Sequence, residues 1–216
     1  MNLIFDVGKV LVDLDYDRAF KKLGEYLNPL TAMLIWAKKD EFMKEMQGEI
    51  DLLETGRMTM AQFFSRLKGR VGLKLEQDQF EEIWCSALQP NGDMLMLLAD
   101  LCPNVPCYCA SNTNATHAEY MLAECPQLLE LNGTAFSHEL GVKKPAPEFF
   151  RAMCERFGVT PGECIFIDDR QANVDAAVEC GMAGIVFDGI EGLRAALKER
   201  GIDLPGSAPA GPAEPL

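Results

Sequence analysis

The 216-residue chain carries 33 acidic and 20 basic side chains, a formal net charge of -13, with 48% hydrophobic and 25% charged residues. Such a balance suits a soluble globular protein large enough for one domain plus an insertion. It argues against a nucleic-acid partner, because no basic stretch is available to neutralise a row of phosphates. No apolar run approaches the roughly 20 residues of a membrane span. The opening Met1-Asn2-Leu3-Ile4-Phe5-Asp6 lacks the basic region and long apolar core of a secretory signal. The expectation is a cytoplasmic protein, away from membranes, whose eight cysteines stay reduced.

The first apolar run, Leu3 to Val7, reads as a buried strand that holds Asp6 near its end, followed by Gly8. An acid in such a place is costly unless it is paired or binds a cation. A turn-forming aspartate is the plain reading; a nucleophile or metal ligand is the functional one. Gly8 lets the backbone turn sharply and approach a ligand.

From about Asp15 to Gln89 no convincing strand appears, only amphipathic helical patterns. They cover Arg18 to Leu27, Ala32 to Met46, a helix capped by Thr59 with Phe63, Phe64 and Leu67 as its stripe, and Phe80 to Leu88. Helices in this number exceed one β-α-β crossover and suggest an all-helical insertion. Its methionines, among them Met43 and Met46, read chiefly as packing between helices.

Strands resume at Val105 to Ser111, with a weaker one at Thr134 to Ser137, then Cys164 to Asp168 and Gly184 to Phe187. Helical patterns at Asp93 to Leu101 and Glu148 to Phe157 alternate with them, which implies a doubly wound parallel sheet. Cys107 and Cys109 share a strand face, and without Cys-x-x-Cys pairs they read as core. The Pro-Gly-Ala-Ser-rich stretch 205–216 reads as a disordered tail.

Polar groups recur where strands stop. Ser111-Asn112-Thr113 closes one strand, either as a helix cap or as an anion site built from a hydroxyl and helix amides. Lys144 lies between a Gly-Val turn and Pro145, placed to reach the sheet edge, whereas Lys143 is expected to face solvent. Asp168-Asp169 ends an apolar run, and two adjacent acids there invite a divalent cation, with Mg²⁺ suited to a few carboxylates. Asn173 follows, placed to orient Asp169 or Lys144.

Asp6, Ser111, Lys144 and the Asp168-Asp169 pair, in that order, resemble the motifs of the haloacid dehalogenase superfamily over about Met1 to Leu197. The opening Phe5-Asp6-Val7-Gly8-Lys9-Val10-Leu11-Val12 is similar to its phosphatase branch, the group with bacterial glucose-1-phosphate phosphatases and, related to it, the phosphatase domain of soluble epoxide hydrolases. The resemblance implies a Rossmann-like core at 1–14 and 90–204 with a helical cap at 15–89. It also implies an Mg²⁺-dependent hydrolysis of a small phosphorylated metabolite, such as a sugar phosphate, through an aspartyl-phosphate on Asp6. Mg²⁺ would be held by Asp6, the Gly8 carbonyl and Asp168, with Asp169 acting through water. Ser111, the Asn112 amide and Lys144 would bind the phosphate. One position departs from most of the superfamily's phosphatases: Gly8 stands where they carry a second aspartate as general acid. A carbon-halogen hydrolase of the same fold and a non-catalytic phosphate-binding module are the alternatives.

Overall fold

The computed structural model describes residues 1–202. The expected disordered tail lies outside them.

Five parallel strands form the main sheet: β1 (Asn2–Phe5), β4 (Cys107–Ser111), β5 (Gly133–Phe136), β6 (Cys164–Asp168) and β7 (Ala183–Val186), in the order β5-β4-β1-β6-β7. The alternation of side chains along each strand sorts them into two layers. Leu3, Phe5, Cys107, Cys109, Ile165 and Ile167 enter one core with Leu95, Leu98, Leu193 and Leu197, from α6 (Gly92–Leu101) and α11 (Ile190–Glu199). Ile4, Tyr108, Ala110, Cys164 and Phe166 enter the other, with Phe149, Phe150 and Met153 from α9 (Pro147–Phe157) and Ala177 from α10 (Gln171–Glu179). Helices thus cover both faces, as a parallel sheet requires. Cys107 and Cys109 pack as core residues, and all eight cysteines are free.

β1 lies in the middle of the order, flanked by β4 and β6. The chain runs outward on one side through β4 and β5, then returns to the other side for β6 and β7. The carboxyl ends of β1, β4 and β6 therefore frame a topological switch point, where ligands of open α/β sheets bind.

Between β1 and β4 the chain makes a short antiparallel ribbon, β2 (Val12–Leu14) with β3 (Leu88–Pro90), and Val12 stands opposite Pro90. Sequence patterning expected no strand up to Gln89, and β3 corrects that: three residues are too few to show a period. Five helices separate the two strands: α1 (Tyr16–Gly24), α2 (Pro29–Ala37), α3 (Lys39–Glu54), α4 (Met60–Val71) and α5 (Gln77–Cys85). They hold a hydrophobic cluster of their own, centred on Met46, Leu53, Phe63, Leu67 and Phe80. The single helix expected at Ala32 to Met46 is two. Asn28 caps α2, Pro29 opens it, and the chain breaks at Lys38 (φ -122°, ψ 33°) before the charged start of α3. Thr59 caps α4 as expected, in a reciprocal capping box with Gln62. Among the described residues no helix is long and apolar enough to cross a membrane.

Candidate active site

Asp6 follows β1 directly, and its amide still donates to the carbonyl of Ile167 (2.7 Å), so sheet pairing holds the residue at the carboxyl edge. Beyond it the chain doubles back. The amides of Val10, Leu11 and Val12 all donate to the Val7 carbonyl. Lys9 takes a left-handed conformation at φ 61°, which costs an ordinary side chain about 1–3 kcal/mol. At Gly8 an added Cβ would press on the Leu14 side chain at 3.2 Å. This tight reversal turns the backbone after Asp6 toward the cavity.

Lys144 is the second element of the site. It is 2% exposed, and its ammonium lies 2.8 Å from Asp6 Oδ1 and 2.7 Å from Asp168 Oδ2. Its third bond goes to the Ala110 carbonyl at 2.9 Å. Burial works to lower its pKa, but Asp6 and Asp168 outweigh that and raise it. The backbone of Lys144 is clamped by the side chain of Asn112, which donates to its carbonyl (2.9 Å) and accepts from its amide (2.8 Å). The Lys144-Pro145 peptide is cis. Asn112 thus serves through its side chain as a positioning residue, a role that sequence spacing did not reveal. Ser111, the last residue of β4, is buried beside it on the cavity wall.

The acidic pair divides. Asp168 is fully enclosed. Its Oδ1 accepts from the Arg170 amide and from Asn173 Nδ2 (both 2.9 Å), and its Oδ2 from Lys144 and again from Asn173 (3.0 Å). Asp169 lines the cavity, with the exposed Lys9 ammonium 3.7 Å from its Oδ2. Asn173 orients Asp168, then, and neither Asp169 nor Lys144. Its own Oδ1 is buried without a hydrogen-bond partner.

One oxygen each of Asp6, Asp168 and Asp169 fall within 4.8 Å of one another. Three carboxylates against the buried ammonium of Lys144 leave two negative charges, the amount a divalent cation neutralises. Their hard oxygen donors suit Mg²⁺. The donor set fits the ion. Asp6 carries the mark of an unbalanced site: burial pushes its pKa up from 3.8 to about 6 despite the Lys144 charge that holds it down.

Lys143 departs from expectation. It is half-buried, forms ion pairs with Asp51 and with Glu54 (2.9 Å), and so ties the loop before α9 to the end of α3. Ser137, fully buried, adds to that junction. Its hydroxyl donates to the Glu54 carbonyl (2.6 Å) and accepts from the Thr113 amide (2.9 Å). No sequence pattern marked Ser137, because its partners lie 24 and 83 positions away.

Asp6, Ser111, Asn112, Lys144, Asp169 and Asn173 open on one cavity of about 460 Å³ that runs from the sheet edge into the helical insertion.

A family model for hydrolases, haloacid dehalogenase-like hydrolase, matches residues 2–181. The chain belongs to this family. Among family relatives, a D-ribitol-5-phosphate phosphatase of Bacteroides thetaiotaomicron is 29% identical over 190 residues, covering 83% of this chain and 88% of that protein. A flavin mononucleotide hydrolase of Arabidopsis thaliana is 42% identical, but over 74 residues only, 34% of this chain and 30% of that protein. Among solved structures, an enzyme of the family from Bacteroides thetaiotaomicron, crystallised with magnesium and inorganic phosphate, superimposes with a TM-score of 0.70 at 28% identity. That match covers 85% of this chain and 92% of that one.

Proposed function

We propose that this member of the family is an Mg²⁺-dependent phosphatase that hydrolyses a small phosphomonoester through an aspartyl-phosphate on Asp6. The observation that carries the reading is the state of the Asp6 carboxylate. Both of its fixed donors, the Val7 amide at 2.7 Å and Lys144 at 2.8 Å, sit on Oδ1. That leaves Oδ2 as the nucleophilic oxygen. Oδ2 attacks phosphorus, the bond to the alcohol oxygen breaks, and the leaving alkoxide takes a proton from water; the hydroxide so formed cleaves the acyl phosphate, releasing phosphate and restoring Asp6. Lys144 stays charged throughout, bonded to Asp6, and offsets the phosphoryl charge beside it. Ser111 and the Asn112 amide bind phosphate oxygens. Asp6, Asp169, the Gly8 carbonyl and Asp168 are the residues to hold Mg²⁺, which supplies charge neutralisation between carboxylate and phosphate. Asn112 and Asn173 keep Lys144 and Asp168 in place.

The helical insertion serves as a cap over the sheet edge, bounded by the β2–β3 ribbon. Eight unpaired thiols suit a reducing, cytoplasmic setting. The acidic cluster disfavours the carbon-halogen alternative, whose chemistry needs no metal. A sugar or polyol phosphate, the class in the Bacteroides relative's name, would satisfy the phosphate half of this site. The other half of the cavity decides the alcohol.

The test is hydrolysis of p-nitrophenyl phosphate, whose leaving group needs little acid help from a site with glycine at position 8. Turnover with Mg²⁺, its loss in EDTA and its loss in Asp6→Asn are expected together. Turnover that persists in EDTA or in Asp6→Asn overturns the mechanism; no turnover at all favours the non-catalytic module.

A further inference from the structure

We infer that the alcohol esterified in the substrate is an apolar one, a hydrocarbon of about ten carbons, since 460 Å³ is the share of about fifteen waters. This inference rests on the phosphatase reading above and adds the leaving group to it.

The walls of the cavity are divided by chemistry. Asp6, Lys9, Ser111, Asn112, Lys144 and Asp169 gather at the sheet edge. The opposite wall is made by the insertion, where Phe20 and Leu23 of α1, Met43 and Ile50 of α3 and Trp84 of α5 line the space while only half-buried. Leu23, Ile50 and Trp84 pack on one side against the insertion's own core, and a ligand that covers the part left bare gains the transfer energy that folding left uncollected.

Polar groups on that side are mostly engaged already. Gln47 Nε2 donates to Asp51 at 2.8 Å, and Glu54 holds Lys143 at 2.9 Å. His117 Nε2 donates to the Trp84 carbonyl at 3.2 Å. Two groups remain, the Tyr16 phenol and the Trp84 indole N–H, which is buried without a hydrogen-bond partner. One phenol and one indole N–H cannot satisfy the several hydroxyls of a sugar. Each hydroxyl buried without a partner lowers affinity roughly ten- to a hundredfold. Met43 and Met46 add a wall that adapts to a flexible chain more readily than a rigid slot would.

The test is a series of n-alkyl phosphates from butyl to dodecyl, assayed with Mg²⁺ beside glucose 1-phosphate, ribitol 5-phosphate and p-nitrophenyl phosphate. The expected result is a kcat/KM that climbs about fourfold per added methylene, levels off near decyl, and exceeds that of both polyol esters. A flat series, or faster turnover of the polyol esters, overturns the inference while leaving the phosphatase standing. Ile50→Asn is expected to reduce the slope of the series; an unaltered slope in the folded variant counts against this wall. Should no ester turn over, p-nitrophenyl phosphate included, the phosphatase reading fails. The inference about a leaving alcohol then falls with it, and calorimetry with octanol separates the two failures: binding with a negative heat-capacity change shows that the apolar wall was read correctly, and absence of binding that it was not.

Discussion

Replacing Lys144 by methionine keeps the length of the side chain and removes its charge. In the wild type that charge stands between two carboxylates, 2.8 Å from Asp6 and 2.7 Å from Asp168, with 1% of the lysine side chain exposed. Lys144→Met leaves both acids buried and uncompensated. Breaking a buried pair in this way costs about 3–5 kcal/mol, and a chain of this size loses about 2–4 °C of Tm per kcal/mol. The expected drop is therefore about 6–20 °C in EDTA near neutral pH. The pH dependence has a definite sign. The folded-state pKa of Asp6 is raised from 3.8 to about 6, so its contribution to stability is full below the lower value and lost as pH rises through the higher one. Without Lys144 only the Val7 amide holds that pKa down, and the loss deepens over the same window and extends above it. Urea unfolding of both proteins in EDTA at about pH 4 and about pH 8 measures the difference. A loss below about 1 kcal/mol at the higher pH, or an equal loss at both, would refute the assignment of Lys144 as the cation that balances this site.

Asp6→Asn is expected to fold and to lose p-nitrophenyl phosphatase activity by roughly a thousandfold or more, measured at saturating Mg²⁺. Ser137→Ala removes a fully buried hydroxyl that joins Glu54 to Thr113; thermal melts should show a loss of about 1–3 kcal/mol. Gly56→Ala combines a left-handed backbone (φ 68°) with a Cβ aimed at the His138 carbonyl; a loss of about 2 kcal/mol or more is expected in the same assay. His117 stacks on Trp84 with ring centroids 5.3 Å apart, and burial lowers its pKa to about 4. Its contribution to stability is present above about 6.5 and lost as pH falls through about 4, opposite in sign to that of Asp6. His117→Phe should therefore make stability fall more steeply as pH rises from 4 to 6, and an unchanged profile would count against the buried neutral imidazole.

The parallel sheet was legible because its strands are short apolar runs ended by polar residues, and Asp6, Ser111 and Asp168 are those ends. The insertion was legible as an excess of helical patterns. Lost to sequence were features that depend on distant partners. Lys143 and Lys144 are neighbours with the same side chain, and only the fold turns one toward Asp51 and Glu54 and the other toward Asp6 and Asp168. Asn112 looked like a helix cap, yet α7 (Ala115–Glu124) is capped by Asn114, and Asn112 is left to hold Lys144. The break at Lys38 escaped notice because apolar residues on both sides continue a helical period across it.

The ribbon of β2 and β3 brings the two ends of the insertion side by side. From the sheet's standpoint, five helices amount to the loop of a single hairpin. A bundle of another length or composition could hang from the same two strands without shifting the register of β1 against its neighbours. The helices that wall the cavity are thereby free to diversify, while Asp6, Lys144 and Asp168 at the sheet edge are held to one arrangement.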